Sequence, residues 1–394
     1  IKGCTIKNNS ATRYNGGGIY IGERCTVTLE DNGTTGCTVK GNTARYNGGG
    51  VFVETPTATF TMKGGAVITP SSEANMNLKK FNDVFLRADS SGSAKITVDS
   101  SLSPAGGTAA RITPEQYTAG TQVLTADSGV TLANETYKFA VTPQTSPAQQ
   151  WTVGGNGCLK EGRYTEVPYN QLEAYLADAS ETEVNYIEVT DISAADLTRP
   201  TGSSGAAALG EKIKAANPKK VALKLPDGLS DVTSMRGCFS QCRNLISVEN
   251  IPSNVTDMCW CFFYCDSLIT APDIPSGVTN MSDCFDACTS LTVAPNIPSG
   301  VTDMEACFNS CIKLTQGPDI PSSVTNMRYC FRNCISLQSV KIKCNYIAGK
   351  FNDAFKGCTA LEAGGIKVPS AQLSNYQTNA GNMGTDEDKF SAIP

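Results

Sequence analysis

Along the second half of the chain the apolar positions return at a fixed step. Val232, Met235, Cys238, Phe239, Cys242 and Leu245 are followed by the same six residue types from Val255, Val278, Val301 and Val324, 23 residues apart each time. A sixth, degenerate copy sets Ala354, Phe355, Cys358 and Leu361 in the matching places, one residue late. Between copies runs Ile-Pro-Ser, at 251–253, 274–276, 297–299 and 320–322. A short fixed period of this kind predicts a solenoid, in which no coil buries its apolar side alone and each does so by stacking on its neighbours. Within a coil the pattern predicts a short strand near Leu268–Ile274, a turn at Pro275-Ser276-Gly277 and a helical turn over Met281–Cys288. The spacing i, i+3, i+4, i+7 of that last segment gives one apolar helical face.

The first half carries a weaker repeat. The run from Cys4 to Ile21 is echoed from Cys37 to Val53, and the Asn-Gly-Gly-Gly runs begin at Asn15 and Asn47. Glycine supplies the corners, and Ile19-Tyr-Ile and Val51-Phe-Val read as strands. Further strands are expected within Ala94–Val98, Gln122–Leu124 and Tyr137–Val141. Between the two repeats the period changes. Leu172, Tyr175, Leu176 and Ala179 fall at helical spacing with Asn170 as N-cap, Tyr186–Val189 reads as a strand, 201–205 as a loop, Leu209–Ala216 as a helix and Val221–Leu225 as a strand. The expected organisation is a stack of short strands over 1–163, an α/β cap over 164–229 that covers the first coil, and the 23-residue array over 230–394, closed by a helical segment at Ser370–Phe390.

The residues of the array resemble the BspA-like, Treponema-type leucine-rich repeats of bacterial surface proteins. That coil also reads Leu, an Ile-Pro step, Val-Thr, then Ala-Phe-x-x-Cys-x-x-Leu, and the likeness runs from about Ser230 to Val368. The departure is Cys in place of the frequent Ala before Phe, at 238, 261, 284, 307 and 330. The resemblance implies a leucine-rich-repeat solenoid on a secreted or cell-surface protein that adheres to a host or bacterial macromolecule, a host extracellular protein or another surface protein. The Gly-Gly-x-Ile runs of the first half are similar to those of polymorphic outer-membrane proteins and imply a right-handed parallel β-helix.

Composition narrows the chemistry. The formal net charge is −5 with both signs scattered, so the basic footprint of a nucleic-acid binder is missing. No apolar run is long enough to cross a membrane as a helix. The chain opens inside a repeat with Ile1, which reads as a fragment or processed form. There is no histidine, so Ser-His, Cys-His and His-zinc chemistry are excluded and carboxylates remain the sole acid–base option. Parallel β-helices include polysaccharide lyases and hydrolases, but the clear copies offer only Glu23, Glu30, Asp31 and Glu54, none recurring at the coil step. The reading is therefore a binding protein with no cofactor and no metal. A carbohydrate-active enzyme and a purely structural surface protein are the alternatives.

Two chemical columns run along the array. The Cys-x-x-x-Cys pairs read as small buried thiols, with stacked disulfides or a metal array as the sharper alternatives. Ala354 in the first cysteine site argues for size rather than sulfur there. The slots between the fixed residues hold Cys259, Trp260, Phe263 and Tyr264 in the second copy. Elsewhere they hold polar residues, among them Arg236, Ser282, Asp283, Asp286, Glu305, Asn309, Arg328 and Arg332. Slots that are mostly polar face water, so aromatic residues in them point to a binding ridge. On a helical turn Trp260, Phe263 and Tyr264 share one side, Tyr329 lies in the column of Trp260, and Arg236, Arg328 and Arg332 flank them. The second candidate is an acidic strip on the strand side, Glu249, Asp273, Asn296 and Asp319.

Overall fold

The structure is a computed structural model that describes residues 1–70, 83–104, 107–145, 148–200 and 205–393. The loop expected at 201–205 lies outside the described residues except for Gly205. The chain forms two compact units, Ile1–Ala179 and Ser180–Pro394.

In the first unit most strands lie in parallel stacks. One stack runs Ile19–Ile21, Val51–Val53, Val84–Leu86, Ala110–Pro114, Phe139–Val141. A second runs Thr26–Leu29, Thr59–Met62, Ile96–Val98, Leu124–Ala126. A third holds Thr5–Lys7, Thr38–Lys40 and Val67–Ile68. Every strand expected from the first repeat is therefore present, shifted by a residue or two in the later coils. Ile19 pairs with Val51, Val51 with Val84, Val84 with Ile112 and Ile112 with Val141. The step thus drifts by several residues from coil to coil, which is why only two copies are legible by eye. Side chains stack in rows on both faces: Val51, Val53, Val84 and Leu86 belong to the core, and on the opposite face Tyr20, Phe52 and Phe85 stack at 5.4 Å. The glycine runs have a steric cause. Gly16 and Gly48 sit at φ +71° and +63°, and a Cβ on Gly17 would stand 2.1 Å from the Thr43 carbonyl oxygen.

The second unit opens with three parallel strands, Asn185–Thr190, Val221–Lys224 and Leu245–Glu249. Helix Ala208–Ala215 lies between the first two in sequence and buries Leu209 and Ile213. Asn170 does not cap the helix Leu172–Asp178 of the first unit. It stands inside a 3₁₀ turn, Tyr169–Gln171, that leads directly into the helix, so no side-chain cap forms.

The 23-residue coils follow. Val255, Met258, Cys261, Phe262, Cys265 and Leu268 are completely buried, and so are their counterparts in the next three copies or within a percent of it. The six phenylalanines from Phe239 to Phe355 stack nearly flat, with centroids 5.4 to 5.8 Å apart. The turn at Pro275–Val278 closes through a Val278 N–H to Pro275 carbonyl bond of 3.1 Å.

Two local expectations fail. The strand near Leu268–Ile274 shrinks to a single bridge, Thr270 to Val293, in the middle coils, whereas Leu245–Glu249 and Ser339–Ile342 are full strands. Pro272 and Pro295 supply no N–H to a ladder there. The Met281–Cys288 segment is not a helical turn. Cys284 N–H bonds back to Met281 and Cys288 N–H to Phe285, but Met281, Asp283, Phe285 and Ala287 donate instead to Asp303, Glu305, Cys307 and Asn309 of the next coil. Alternate amides thus leave the coil, and Asp283 and Ala287 take left-handed φ of +52° and +57°. The apolar spacing that suggested a helix arises from this train of turns. It still points every periodic residue inward.

At the far end, Asp353 N–H and Phe355 N–H donate to the carbonyls of Asn382 and Met383. The segment after Ser370, made of 3₁₀ turns and the helix Leu373–Thr378, thereby takes the place of a further coil. Tyr376 and Phe390 pack over the last apolar side chains, Phe351 and Phe355.

Candidate functional site: the turn face of the array

The left-handed positions recur twice in each coil, just before each ladder cysteine. They are Gly237 and Gln241, Trp260 and Tyr264, Asp283 and Ala287, Ala306 and Ser310, Tyr329 and Asn333, Asp353 and Gly357. Glycine fits such a position at no steric cost, and small polar residues at little. A bulky aromatic there is an outlier. Trp260 and Tyr264, both at φ +57°, are nevertheless 37% and 40% exposed.

Around them the coil assembles an aromatic and cationic cluster. The Trp260 and Phe263 rings lie 6.3 Å apart, and Phe263 meets Tyr264 edge-on at 4.6 Å. The guanidinium of Arg236 stands 5.3 Å from the Trp260 ring and that of Arg199 stands 5.4 Å from it, while Arg243 lies 5.9 Å from Tyr264. Arg236 and Arg243 also reach Asp257 and Asp266 at 3.8 and 3.7 Å. Asp283 of the next coil stands near the indole, and burial raises its carboxyl above the usual range. Arg199 and Arg243 were not among the residues expected from sequence. Arg199 lies before the array, where its period gives no signal, and Arg243 follows the ladder cysteine instead of preceding it.

Tyr329 occupies the same column as Trp260, as the chain of amide bonds from 260 to 282, 283 to 305 and 306 to 328 requires. Around it Arg328 donates to the phenol oxygen at 2.7 Å and lies 4.6 Å from the ring, with Arg332 at 5.4 Å. The seven residues expected to form one ridge therefore form two clusters, Trp260–Phe263–Tyr264 with Arg236 and Tyr329 with Arg328 and Arg332. Asp283 and Ala306 separate them in the column. Nor do all the slots face water. Cys259 and Asp286 are buried, because the alternating turns aim some of these side chains along the stack. Cys259 accepts a bond from Ser282 at 3.1 Å, and Asp286 accepts one from Asn309 at 2.9 Å. Burial, reinforced by the Asp283 charge, pushes the Asp286 carboxyl up to about 7.

The residue between Val-Thr and Met is Ser234, Asp257, Asn280, Asp303 or Asn326 in successive coils. These form a column of parallel bridges. Each side-chain oxygen accepts the amide two residues on, as Asn280 does from Ser282 at 3.0 Å, so the column caps the turn train.

On the strand side Glu249, Asp273, Asn296 and Asp319 are all exposed. Asn296 and Asp319 border one shallow depression with Lys343. Lys343 pairs with Asp319 at 2.8 Å and Lys341 at 3.7 Å, so that end of the strip is neutralised. Their bonds and charges hold the Asp319 carboxyl below its usual range.

All ladder cysteines are unpaired thiols, and the two columns differ. In the second column Cys265, Cys288, Cys311, Cys334 and Cys358 each donate Sγ–H to the phenylalanine carbonyl of the coil before, at 2.9 to 3.2 Å. Among the described residues no group of three or more Cys, Asp or Glu side chains could hold a metal ion. The acids of the first unit serve their own surroundings. Asp31 accepts the amides of Gly33 and Gly65, Glu54 that of Glu23, and Glu30 pairs with Lys2 at 3.3 Å. Two buried acids that sequence did not single out are satisfied as well. Asp83 takes both ends of Arg111 at 3.0 Å, and Glu135 takes Lys138, Ser101 and the Leu102 amide.

No helix among the described residues is long and apolar enough to cross a membrane. No curated protein and no solved structure matches the chain. The model of the BspA type leucine rich repeat region matches six copies, over residues 221–328 and 261–380. That span covers the coils with stacked phenylalanines and buried thiols described above, and residues 221–380 form a leucine-rich-repeat region of the BspA type.

Proposed function

We propose that this protein is a bacterial cell-surface or secreted adhesin that binds a macromolecular partner, a host extracellular protein or another surface protein, through the turn face of its leucine-rich repeats. The observation that carries this reading is the pair Trp260 and Tyr264. Both occupy left-handed backbone positions that a glycine would fill without strain, and both remain partly exposed. Strained backbone positions cluster at ligand clamps and switch regions, and a bulky aromatic is retained here at a position that most other coils fill with Gly, Ala, Asp or Ser. Trp, Tyr and Arg combine large area with a polar handle and dominate binding hot spots. Tyr329, Arg328 and Arg332 form a second contact point, three coils or roughly 14 Å away at the spacing of stacked strands. The acidic strip at Glu249, Asp273, Asn296 and Asp319 is the second choice of surface.

Within this reading the first unit is a right-handed parallel β-helix that serves as stalk or second surface, and residues 164–229 cap the array. The domain boundaries are 1–163, 164–229 and 230–394. Non-enzymatic action is supported by Glu23, Glu30, Asp31 and Glu54 of the first unit, which are engaged in turns and ion pairs.

The test is a double change, Trp260→Gly with Tyr264→Asn. It removes both rings and relieves the backbone, so the melting temperature should hold or rise. Binding of the intact chain to a panel of purified extracellular-matrix proteins should fall by about 2 kcal/mol or more. A stable variant with undiminished binding moves the site to the acidic strip. A sharp loss of stability makes the cluster core packing.

A further inference from the structure

The copied motif of the first unit contains exposed residues that packing does not explain. Comparing 4–21 with 37–53, inward and outward places alike have drifted. Ile6 has become Val39, Ser10 Thr43, and Ile19-Tyr20-Ile21 has become Val51-Phe52-Val53. The glycines are kept for steric reasons. Asn15 is kept because its side chain accepts the Asn47 amide at 3.1 Å. Lys7 and Lys40, Arg13 and Arg45, and Tyr14 and Tyr46 are also kept, yet all six are exposed, Tyr14 by 74% and Tyr46 by 53%. Exposed positions ordinarily drift first, because their substitution costs little stability. Here these three exposed pairs are held, while exposed Asn8, Ser10 and Tyr20 have become Gly41, Thr43 and Phe52.

The coil places these residues in register. Lys7 pairs with Lys40 across the parallel strands. Arg45 N–H bonds to the Ala11 carbonyl at 2.8 Å, and Gly16 N–H to the Asn47 carbonyl at 3.1 Å. Arg13-Tyr14 and Arg45-Tyr46 therefore lie in matching segments of neighbouring coils, the first longer by one residue. The Arg45 guanidinium lies 5.5 Å from the Tyr46 ring. Like charges set side by side repel, and among the described residues none of the four cations has an ion-pair partner. This is a charged ladder that costs the fold and is left unneutralised, on a chain whose net charge is −5.

We infer that the ladder Arg13-Tyr14 and Arg45-Tyr46, flanked by Lys7 and Lys40, binds an acidic polysaccharide, a linear glycan bearing carboxylates or sulfates. Arginine presents a planar fork that takes such groups bidentately. Tyrosine presents an apolar face for a sugar ring and a hydroxyl for its polar edge. A regular row of both suits a ligand that repeats its own charge. A nucleic acid fits less well, since its binding rests on a broad run of phosphate contacts, and the ladder has four cations. This surface is separate from the turn face of the array, so the two readings stand or fall on different variants.

The experiment uses the intact chain against immobilised heparin and hyaluronate, with neutral dextran and an oligothymidylate as comparisons. Binding to at least one acidic glycan is expected, weakening as salt rises. Arg13→Gln with Arg45→Gln, and separately Tyr14→Ser with Tyr46→Ser, should each reduce it at least about tenfold with an unchanged melting temperature. Arg13→Lys with Arg45→Lys should fall between, since it keeps the charge and loses the fork. The inference is overturned if acidic glycans bind no better than dextran. It is overturned equally if the folded Gln and Ser variants bind as the parent does, or if the oligothymidylate binds more tightly than either glycan.

Discussion

The two cysteines of each coil look equivalent in sequence and have different duties. The first column needs a small side chain, and Ala354 already fills it in the last copy. The second donates to a backbone carbonyl, and it is retained there as Cys358. Cys284→Ala should therefore cost under about 1 kcal/mol, whereas Cys288→Ala should cost about 1–2 kcal/mol by losing both contact volume and a bond to the Phe262 carbonyl. Denaturant melts of the two variants check this, and equal losses would contradict the division of roles. Asp286 carries a pH signature. Its carboxyl is raised from 3.8 to about 7, first by burial and then by Asp283. In the unfolded chain it titrates near its ordinary value, so between about pH 4 and pH 7 the folded state keeps a proton that the unfolded state has lost. Stability falls as pH rises through that window and levels off above it. Asp286→Asn should abolish this slope and exceed the parent by about 1–2 kcal/mol near pH 8. Melting curves across that range decide the matter, and a variant with the parent's full pH slope would refute it.

At the scale of the element, the coil shows how one spacing can serve two backbones. Residues at i, i+3, i+4 and i+7 mark a helical face. A train of i to i+3 turns that gives alternate amides to the next coil buries the same residues. Local sequence cannot separate them, because the deciding bonds run to residues 22 or so positions away, such as Met281 to Asp303. The burial that results also silences the thiols. Cys242 and Cys358 are pushed up to about 12 by loss of solvent, and the others in the ladder are raised too. Thiolate is the reactive form, so the folded array should be inert to a thiol reagent while exposed Cys4 and Cys25 react. In denaturant all ladder thiols should titrate. Fewer than about half doing so would establish disulfides in their place.

For the whole molecule, compactness divides the chain after Ala179. The stability of a stack is mostly a sum over neighbouring coils, and Ser180–Pro394 holds its own parallel sheet at the start and the 370–390 segment at the end. That fragment should fold by itself with one cooperative denaturant transition. A broad, non-cooperative melt would show that it depends on the first unit.

The sequence by itself determined the 23-residue period, the six recurring apolar positions inside each coil and the family of the array, because burial in a stacked coil writes the same residue types at the same step each time. It determined the strands at Ile19–Ile21 and Val51–Val53 for the same reason, while the drifting step hid the later coils of that unit. Tertiary structure alone decided which amides leave the coil, and with them the left-handed slots under Trp260 and Tyr264. It split the expected ridge into two clusters, and it brought in Arg199 from outside the array. Those outcomes rest on contacts between residues far apart in the chain, and periodicity carries no record of a contact that is made only once.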